Sequence, residues 1–393
     1  MFLKYSKIFN VFFIKQIFFA FFLLNFSFLF TACNIFRVQL TEKHGSPLPL
    51  QVEIPAVYEM LQVACALSPV LQNDSNLINK NSNYYNEVIQ NFEQYSEHKL
   101  VKKLEKKLKN DSYRNGQILL RLMSLNYRFN ENNKIIKHQQ YKFPFFINII
   151  PLPFFNINTH KRLLQNFSEE TNFPEFYEQH RPFYDSLVQQ SFIFADYMKM
   201  KYWCEKNFDR KINSYRIVFS PLTSGFHNTM HWSNRSKKNS QAIMFLAPPM
   251  FPQEMRNKFS ISILSGLYSR TVFTEINHNY VNPVSEKYII KISNSFKNLE
   301  EWNVHEYFYN TAYETFNEYL TWAIFSLYVY EEFNSTDFRT INLITEKYME
   351  NKRKFVKFSE FNKFLLNLYL SQNQTKTIEE MYPEIIEWIL KEK

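Results

Sequence analysis

Thr274-Glu275-Ile276-Asn277-His278 is one residue away from His-Glu-x-x-His. In that spacing two imidazoles at i and i+4 share one helix face and can reach one metal ion. The Glu between them faces the same ion and takes a proton from its bound water. Here Glu275 and the second His, His278, are in place, and Thr274 stands where the first His belongs. A neutral hydroxyl is a poor zinc ligand beside imidazole or carboxylate. The stretch therefore carries most of a metal-binding helix and a defect at its first ligand.

Outward from this stretch the pattern is mainly helical. The helix that contains it is expected to stop near Asn282-Pro283, because Pro removes an N–H and clashes with the preceding turn. Another helix is expected from about His305 to Glu332, and helical pattern resumes from Phe358 to the C-terminus. Upstream, helices are expected from Ile54-Pro55-Ala56 onward, over Asn83 to Tyr95, Leu100–Leu108 and Leu119 to Leu125. Two more follow, over Phe173–Tyr184 and Leu187–Lys206. Strand candidates are Ser214 to Ser220, Ala242 to Ala247 and the Pro-bracketed Phe145–Ile150. Helices, then strands, then long helices indicate an α+β fold with a mostly helical body and a small mixed sheet beside the motif helix.

Composition narrows the class. Hydrophobic residues are 45% and charged residues 21%, as in a folded globular protein. With only 4 Gly, a Gly-rich all-β fold is disfavoured. The formal charge is +9, but Lys4, Lys7 and Lys15 lie in the leader, which leaves about +6 over a large surface. The Lys-rich run from Lys99 to Lys109 has apolar residues at helical spacing, so its lysines read as a solvated face. No nucleic-acid partner is expected.

Residues 1–32 read as an export signal: a basic start, an uncharged apolar run from Gln16 to Phe30, then Phe30-Thr31-Ala32-Cys33. Small residues before a Cys resemble the bacterial lipobox, which makes Cys33 the expected lipidation site and the protein a cell-envelope lipoprotein. Residues 33–49 read as a tether. Residues 50–393 form the domain, with a helical part (50–210), a motif-bearing part (211–335) and a helical C-terminal part (336–393). Cys65 lies in an apolar helical run and reads as buried and free, although pairing with Cys204 outside the cytoplasm stays open.

Three stretches together resemble a group of bacterial exported zincin-like proteins, the domain-of-unknown-function 4932 family. They are Ile54-Pro55-Ala56-Val57-Tyr58-Glu59 leading into Ala66-Leu67-Ser68, the segment from Tyr85 to His98, and Phe273 to Pro283. The resemblance spans about residues 50 to 335. It implies a zincin-like fold and a zinc-dependent metallopeptidase or amide hydrolase, with Glu275 as general base and His278 as a zinc ligand. In such folds a further ligand comes from a Glu on the next helix. Glu318 is the choice, with Glu314 one turn earlier in reserve.

His278 and Glu318 make two ligands, and catalytic zinc takes three from the protein. His227, His231 and His305 are the candidates to complete the set, the first two because an edge strand runs beside the motif helix in zincin folds. A water in Thr274's place is another. The bland readings are a helix-surface pair for Glu275 and His278, a loop hydrogen-bonding pair for His227 and His231, and core packing for the aromatic stripe from Tyr307 to Tyr330. Three functions follow: a membrane-anchored peptidase acting on peptide or protein substrates, a zincin-shaped surface protein that binds a peptide, glycan or protein without metal, or a metal-free hydrolase using Glu275 and Glu318.

Overall fold

The computed structural model describes residues 39–40, 48–108, 113–138, 141–142, 155–233, 239–304, 309–372 and 375–392. Cys33, His305 and the expected strand at Phe145–Ile150 lie outside them. The fold is α+β and mostly helical, with one four-stranded mixed sheet. The sheet strands are β1 (Leu50–Glu53), β2 (Ser214–Phe219), β3 (Asn228–Ser233) and β4 (Ser240–Leu246), in the spatial order β1-β2-β4-β3. β1 and β4 run parallel to β2, and β3 closes the sheet antiparallel to β4, with His231 opposite Ala242.

The two central strands are buried along their whole length, which is why Ile217-Val218-Phe219 and Ile243-Met244-Phe245 read as continuous apolar runs. The edges were harder to see. Leu50–Glu53 is short and half-buried, and the sequence places it at the start of a helical region. Asn228–Ser233 is short, and only Met230 and Trp232 alternate apolar among its polar residues. Each becomes a strand only because a central strand offers it a ladder.

The helices used below are α1 (Ala56–Ala66), α2 (Lys99–Leu108), α3 (Tyr113–Ser124), α4 (Arg181–Phe194), α5 (Tyr197–Asn207), α6 (Ile261–Lys287), α7 (Ala312–Glu332), α8 (Ser335–Lys347), α9 (Phe358–Ser371) and α10 (Tyr382–Lys391). One apolar core joins them, from Ile54 to Ile389. α2 turns Leu100, Val101, Leu104 and Leu108 inward, as its i, i+4 spacing requires. The region 173–206 is three helices, not two, with breaks at His180 and at Ala195-Asp196, where the Asp196 side chain caps α5 through Lys199 N at 2.9 Å.

α6 is 27 residues long and contains Pro283, so the expected stop at Asn282-Pro283 is wrong. Pro283 does cost the helix one hydrogen bond. Packing holds the helix beyond it. Tyr280, Val281 and Val284 are buried, Tyr382 donates to Val281 O at 3.0 Å, and Tyr313 donates to Asn282 O at 3.3 Å. α7 begins at Ala312, later than the expected His305. Thr311 Oγ1 accepts from Glu314 N at 3.2 Å and so fixes the start.

α6 lies in the middle of the molecule. It packs on α7 on one side and on β3 and β4 on another. Asn277 Nδ2 donates to Thr321 O of α7 at 3.3 Å, Asn279 Nδ2 donates to Thr229 Oγ1 of β3 at 2.8 Å, and the Tyr280 and Tyr215 hydroxyls meet at 2.8 Å. The close approach of α8 depends on Gly266. A Cβ there would lie 2.1 Å from Ile341 Cδ1. Cys65 and Cys204 are buried and free. No helix among the described residues is long and apolar enough to cross a membrane.

Candidate functional site

α6 and α7 bring His278 and Glu318 together: His278 Nε2 lies 3.2 Å from Glu318 Oε1. The other ring nitrogen, Nδ1, faces Asn282 Oδ1 at 3.3 Å and Thr321 Oγ1 at 3.4 Å. Both side chains are largely withdrawn from solvent, His278 at 15% and Glu318 at 8% exposure. The Glu expected from the next helix thus meets its His, although the two residues are far apart in the chain and no periodicity links them.

Glu318 has a second partner that the sequence did not suggest. Arg353 Nη1 donates to Glu318 Oε2 at 2.7 Å, and Arg353 Nη2 donates to Tyr309 Oη at 2.7 Å. Trp322 Nε1, one turn along α7, also reaches Glu318 Oε2 at 3.2 Å. The carboxylate therefore faces an imidazole, a guanidinium and an indole N–H. The Arg353 guanidinium also lies over the Trp322 ring at 4.8 Å. Trp322 lies in the packed core, as the sequence reading has it, and its indole N–H also reaches this site.

Local backbone geometry delivers Arg353. The chain makes one π turn over Tyr348–Lys352, and Lys354 then takes a left-handed φ of 61°. Tyr309, the other partner of Arg353, has a φ of 59°. Such conformations cost a non-Gly residue about 1–2 kcal/mol, so the surroundings must impose them. They do: Tyr309 O accepts from Asn303 Nδ2 and Thr315 Oγ1, and the segments around Asn303 and Phe355 form a bridge.

Thr274 is buried, and its hydroxyl donates back into its own helix, to Arg270 O at 3.0 Å and Thr271 O at 3.1 Å. This is the local bonding a mid-helix Thr favours. Glu275 is close enough for its charge to act on His278. One turn ahead, Arg270 lies over Tyr348 at 4.7 Å and Trp322 at 5.5 Å, and its Nε and Nη1 are buried without hydrogen-bond partners.

The electrostatics follow from these contacts. Burial alone would raise the Glu318 carboxyl, but Arg353 and His278 overcome it and hold it well below the usual carboxylate range. Burial pushes the His278 imidazole down, while the Glu318 hydrogen bond and charge, with help from Glu275, carry it above its ordinary value. Burial pulls Arg270 down to about 10, and the charge of Arg353 adds to that fall.

The remaining candidates are less central. Burial lowers His227 to about 4, with the charges of Arg121 and Arg353 adding to the fall. His231 lies further along β3 and is lowered to about 3 by burial and by Arg210. Thr229 and His231 share a strand face at period two; the Thr229 contact to Asn279 shows that this face meets α6. Glu314, the residue in reserve, lies in the first turn of α7, where its Oε2 accepts from Thr311 Oγ1 at 3.1 Å. Among the described residues, no three His, Cys, Asp or Glu side chains form a group that could hold a metal ion.

The residues missed from the sequence are Arg353, Tyr309 and Arg270. Arg270 could have been found: it lies one turn before Thr274 on the motif helix. Arg353 carries no local signal. Comparison with protein-family models, curated proteins and solved structures gives no match for this chain.

Proposed function

We propose that this chain is a zincin-like domain in which an internal cation, Arg353, occupies the electrostatic role of the metal, and that it works as an envelope-anchored binding protein for a peptide or protein ligand. The observation that carries this reading is the 2.7 Å ion pair between Arg353 and Glu318 beside His278. The zincin-like architecture is supported by the antiparallel edge strand beside the motif helix and by the meeting of His278 with a Glu from the next helix.

The donor set does not suit zinc. A catalytic site needs about three protein ligands and an open position. Here the first ligand position is a Thr whose hydroxyl is spent on its own helix, and the third ligand's carboxylate is already matched by a guanidinium. A metal would have to displace Arg353, which also holds Tyr309. The site's own chemistry is that of a fixed charge array: Glu318 ionised, Arg353 positive, and His278 gaining a proton more readily than a free imidazole.

The peptidase reading keeps one observation in its favour, since His278 and Glu318 do meet, with Glu275 near. Zinc content of the full chain by elemental mass spectrometry, with His278→Ala alongside, separates the two. The binding-protein reading expects no bound zinc and no change in Tm on adding zinc. About one zinc per chain, lost in His278→Ala, would overturn it and return Glu275 to the role of general base.

A further inference from the structure

A second polar cluster lies on the opposite side of β3 and has no assigned role. Its centre is Arg121 of α3, which is fully buried. Nη1 donates to Phe226 O at 2.9 Å and Asn228 Oδ1 at 2.7 Å, while Nε and Nη2 are buried without partners. Gln117 lies one turn earlier on α3, and Gln62 faces inward from α1. Both are fully buried, and neither amide has a nitrogen or oxygen partner; the Cys65 thiol, a weak one, faces Gln117. Asn228 Nδ2 and His227 Nε2 are buried and unpartnered as well. Tyr58 and Cys65 of α1 are near enough to feel the Arg121 charge.

Charge and donor balance decide what this cluster wants. Taking an ionised guanidinium out of water costs several kcal/mol unless an opposite charge meets it. The carboxylate that α1 supplies, Glu59, is turned away, accepting from Tyr84 Oη at 2.8 Å and bonding to Ser220. The Phe226 ring, 4.6 Å from the guanidinium, softens the charge without cancelling it. The unpartnered donors are two Arg121 nitrogens and the amide nitrogens of Gln62, Gln117 and Asn228. Among the described residues, the unpartnered acceptors of this cluster are Gln62 Oε1 and Gln117 Oε1; Glu59 Oε2, on the same helix as Gln62, is also buried without a partner, and His227 Nε2 serves either way. Water brings donors and acceptors in equal number and would leave the charge unmatched. A small anion accepts from several donors at once and cancels it.

We propose that this cluster is a buried site for a small monovalent anion, with Arg121 as its principal ligand and the Gln117 and Gln62 amides completing the shell. The anion would lock Phe226 to Asn228, the residues that start the edge strand beside the Glu318 site. It would also offset the Arg121 charge that helps to hold His227 down. The proposal is independent of whether the Glu318 site takes zinc.

Crystals of the full chain grown with bromide test it directly. An anomalous peak within hydrogen-bond distance of Arg121 is expected; a well-ordered water there with no bromide overturns the proposal. In solution, Tm of the full chain should rise with bromide or chloride when ionic strength is held constant with gluconate. A parallel series with formate tells whether a small carboxylate fills the site as well as a halide. Gln117→Leu keeps the volume and the Arg121 charge and should weaken halide affinity about tenfold or more, the loss of one hydrogen bond to a charged group. Arg121→Met should abolish the halide dependence. If that variant fails to fold, Gln117→Leu still decides: a halide dependence equal to that of the parent chain overturns the proposal.

Discussion

Arg353→Met removes the guanidinium between Glu318 and Tyr309 and keeps much of the side-chain volume. Two hydrogen bonds of 2.7 Å disappear, and so does the contact with the Trp322 ring at 4.8 Å. Glu318, only 8% exposed, keeps His278 and Trp322 but loses its fixed countercharge. Breaking a buried pair by removing one partner costs about 3–5 kcal/mol, because the remaining charge is left poorly compensated. The lower end is expected, since His278 gains the full attraction of Glu318. The pH dependence gives the prediction its edge. The Glu318 carboxyl is depressed in the folded chain, so its contribution is fully present above the ordinary value of 4.5 and is lost as pH falls below it. The His278 imidazole is raised, so its contribution is present below 6.5 and is lost as pH rises through its folded value. In the variant, burial governs Glu318 and its carboxyl rises. The gap between parent and variant should therefore narrow as pH falls toward 4, where Glu318 begins to protonate, and widen as pH rises past the folded value of His278, where the imidazole no longer offsets the carboxylate. Urea unfolding followed by circular dichroism at pH 6 and pH 4 measures it. A loss below about 1 kcal/mol at pH 6, the range of an ordinary surface ion pair, would refute the reasoning. So would a gap that stays the same at both pH values.

Three further outcomes are expected. Thr274→His alone should not give zinc binding, because Arg353 still holds Glu318; the double variant Thr274→His with Arg353→Ala supplies three ligands and should bind zinc, read by elemental mass spectrometry. Gly266→Ala forces a Cβ against Ile341 and should lower stability by about 1–3 kcal/mol despite the better helix propensity of Ala, and Ile341→Ala, which removes both Cδ1 and Cγ1 from the clash, should cost less in the Gly266→Ala background than in the parent, read by thermal unfolding. Tyr215→Phe and Tyr280→Phe each leave one buried hydroxyl without its partner at a cost of about 1–3 kcal/mol. Their double variant should lose clearly less than the two added together, and strict additivity in denaturant melts would count against the 2.8 Å contact.

Glu275 and His278 keep their places on α6, and Glu318 arrives from α7 as the family resemblance implies. Among the described residues, neither His227 nor His231 joins His278 and Glu318 in a group that could hold a metal ion. The local charge is set instead by a residue beyond α8, carried on a π turn next to a left-handed Lys354. Backbone irregularity at such a point is a device for aiming a side chain, and here it aims Arg353.

The sequence by itself determined the α+β class, the central strands β2 and β4, most of the helices, and the helix that carries Thr274 to His278. These are written in local terms: apolar runs of strand length and apolar residues at helical spacing. It also named Glu318, through the resemblance rather than through spacing. Tertiary structure alone decided the rest. Pro283 sits inside α6 because Tyr382, Tyr313 and a buried apolar face hold the helix together where local chemistry would end it. Leu50–Glu53 and Asn228–Ser233 are strands because β2 and β4 lend them hydrogen bonds. Arg353 faces Glu318, and Arg121 faces no carboxylate among the described residues, because charges distant in sequence meet only where packed helices and a turn bring them; a one-dimensional pattern holds periodicity, and the distance between two charges is not periodic.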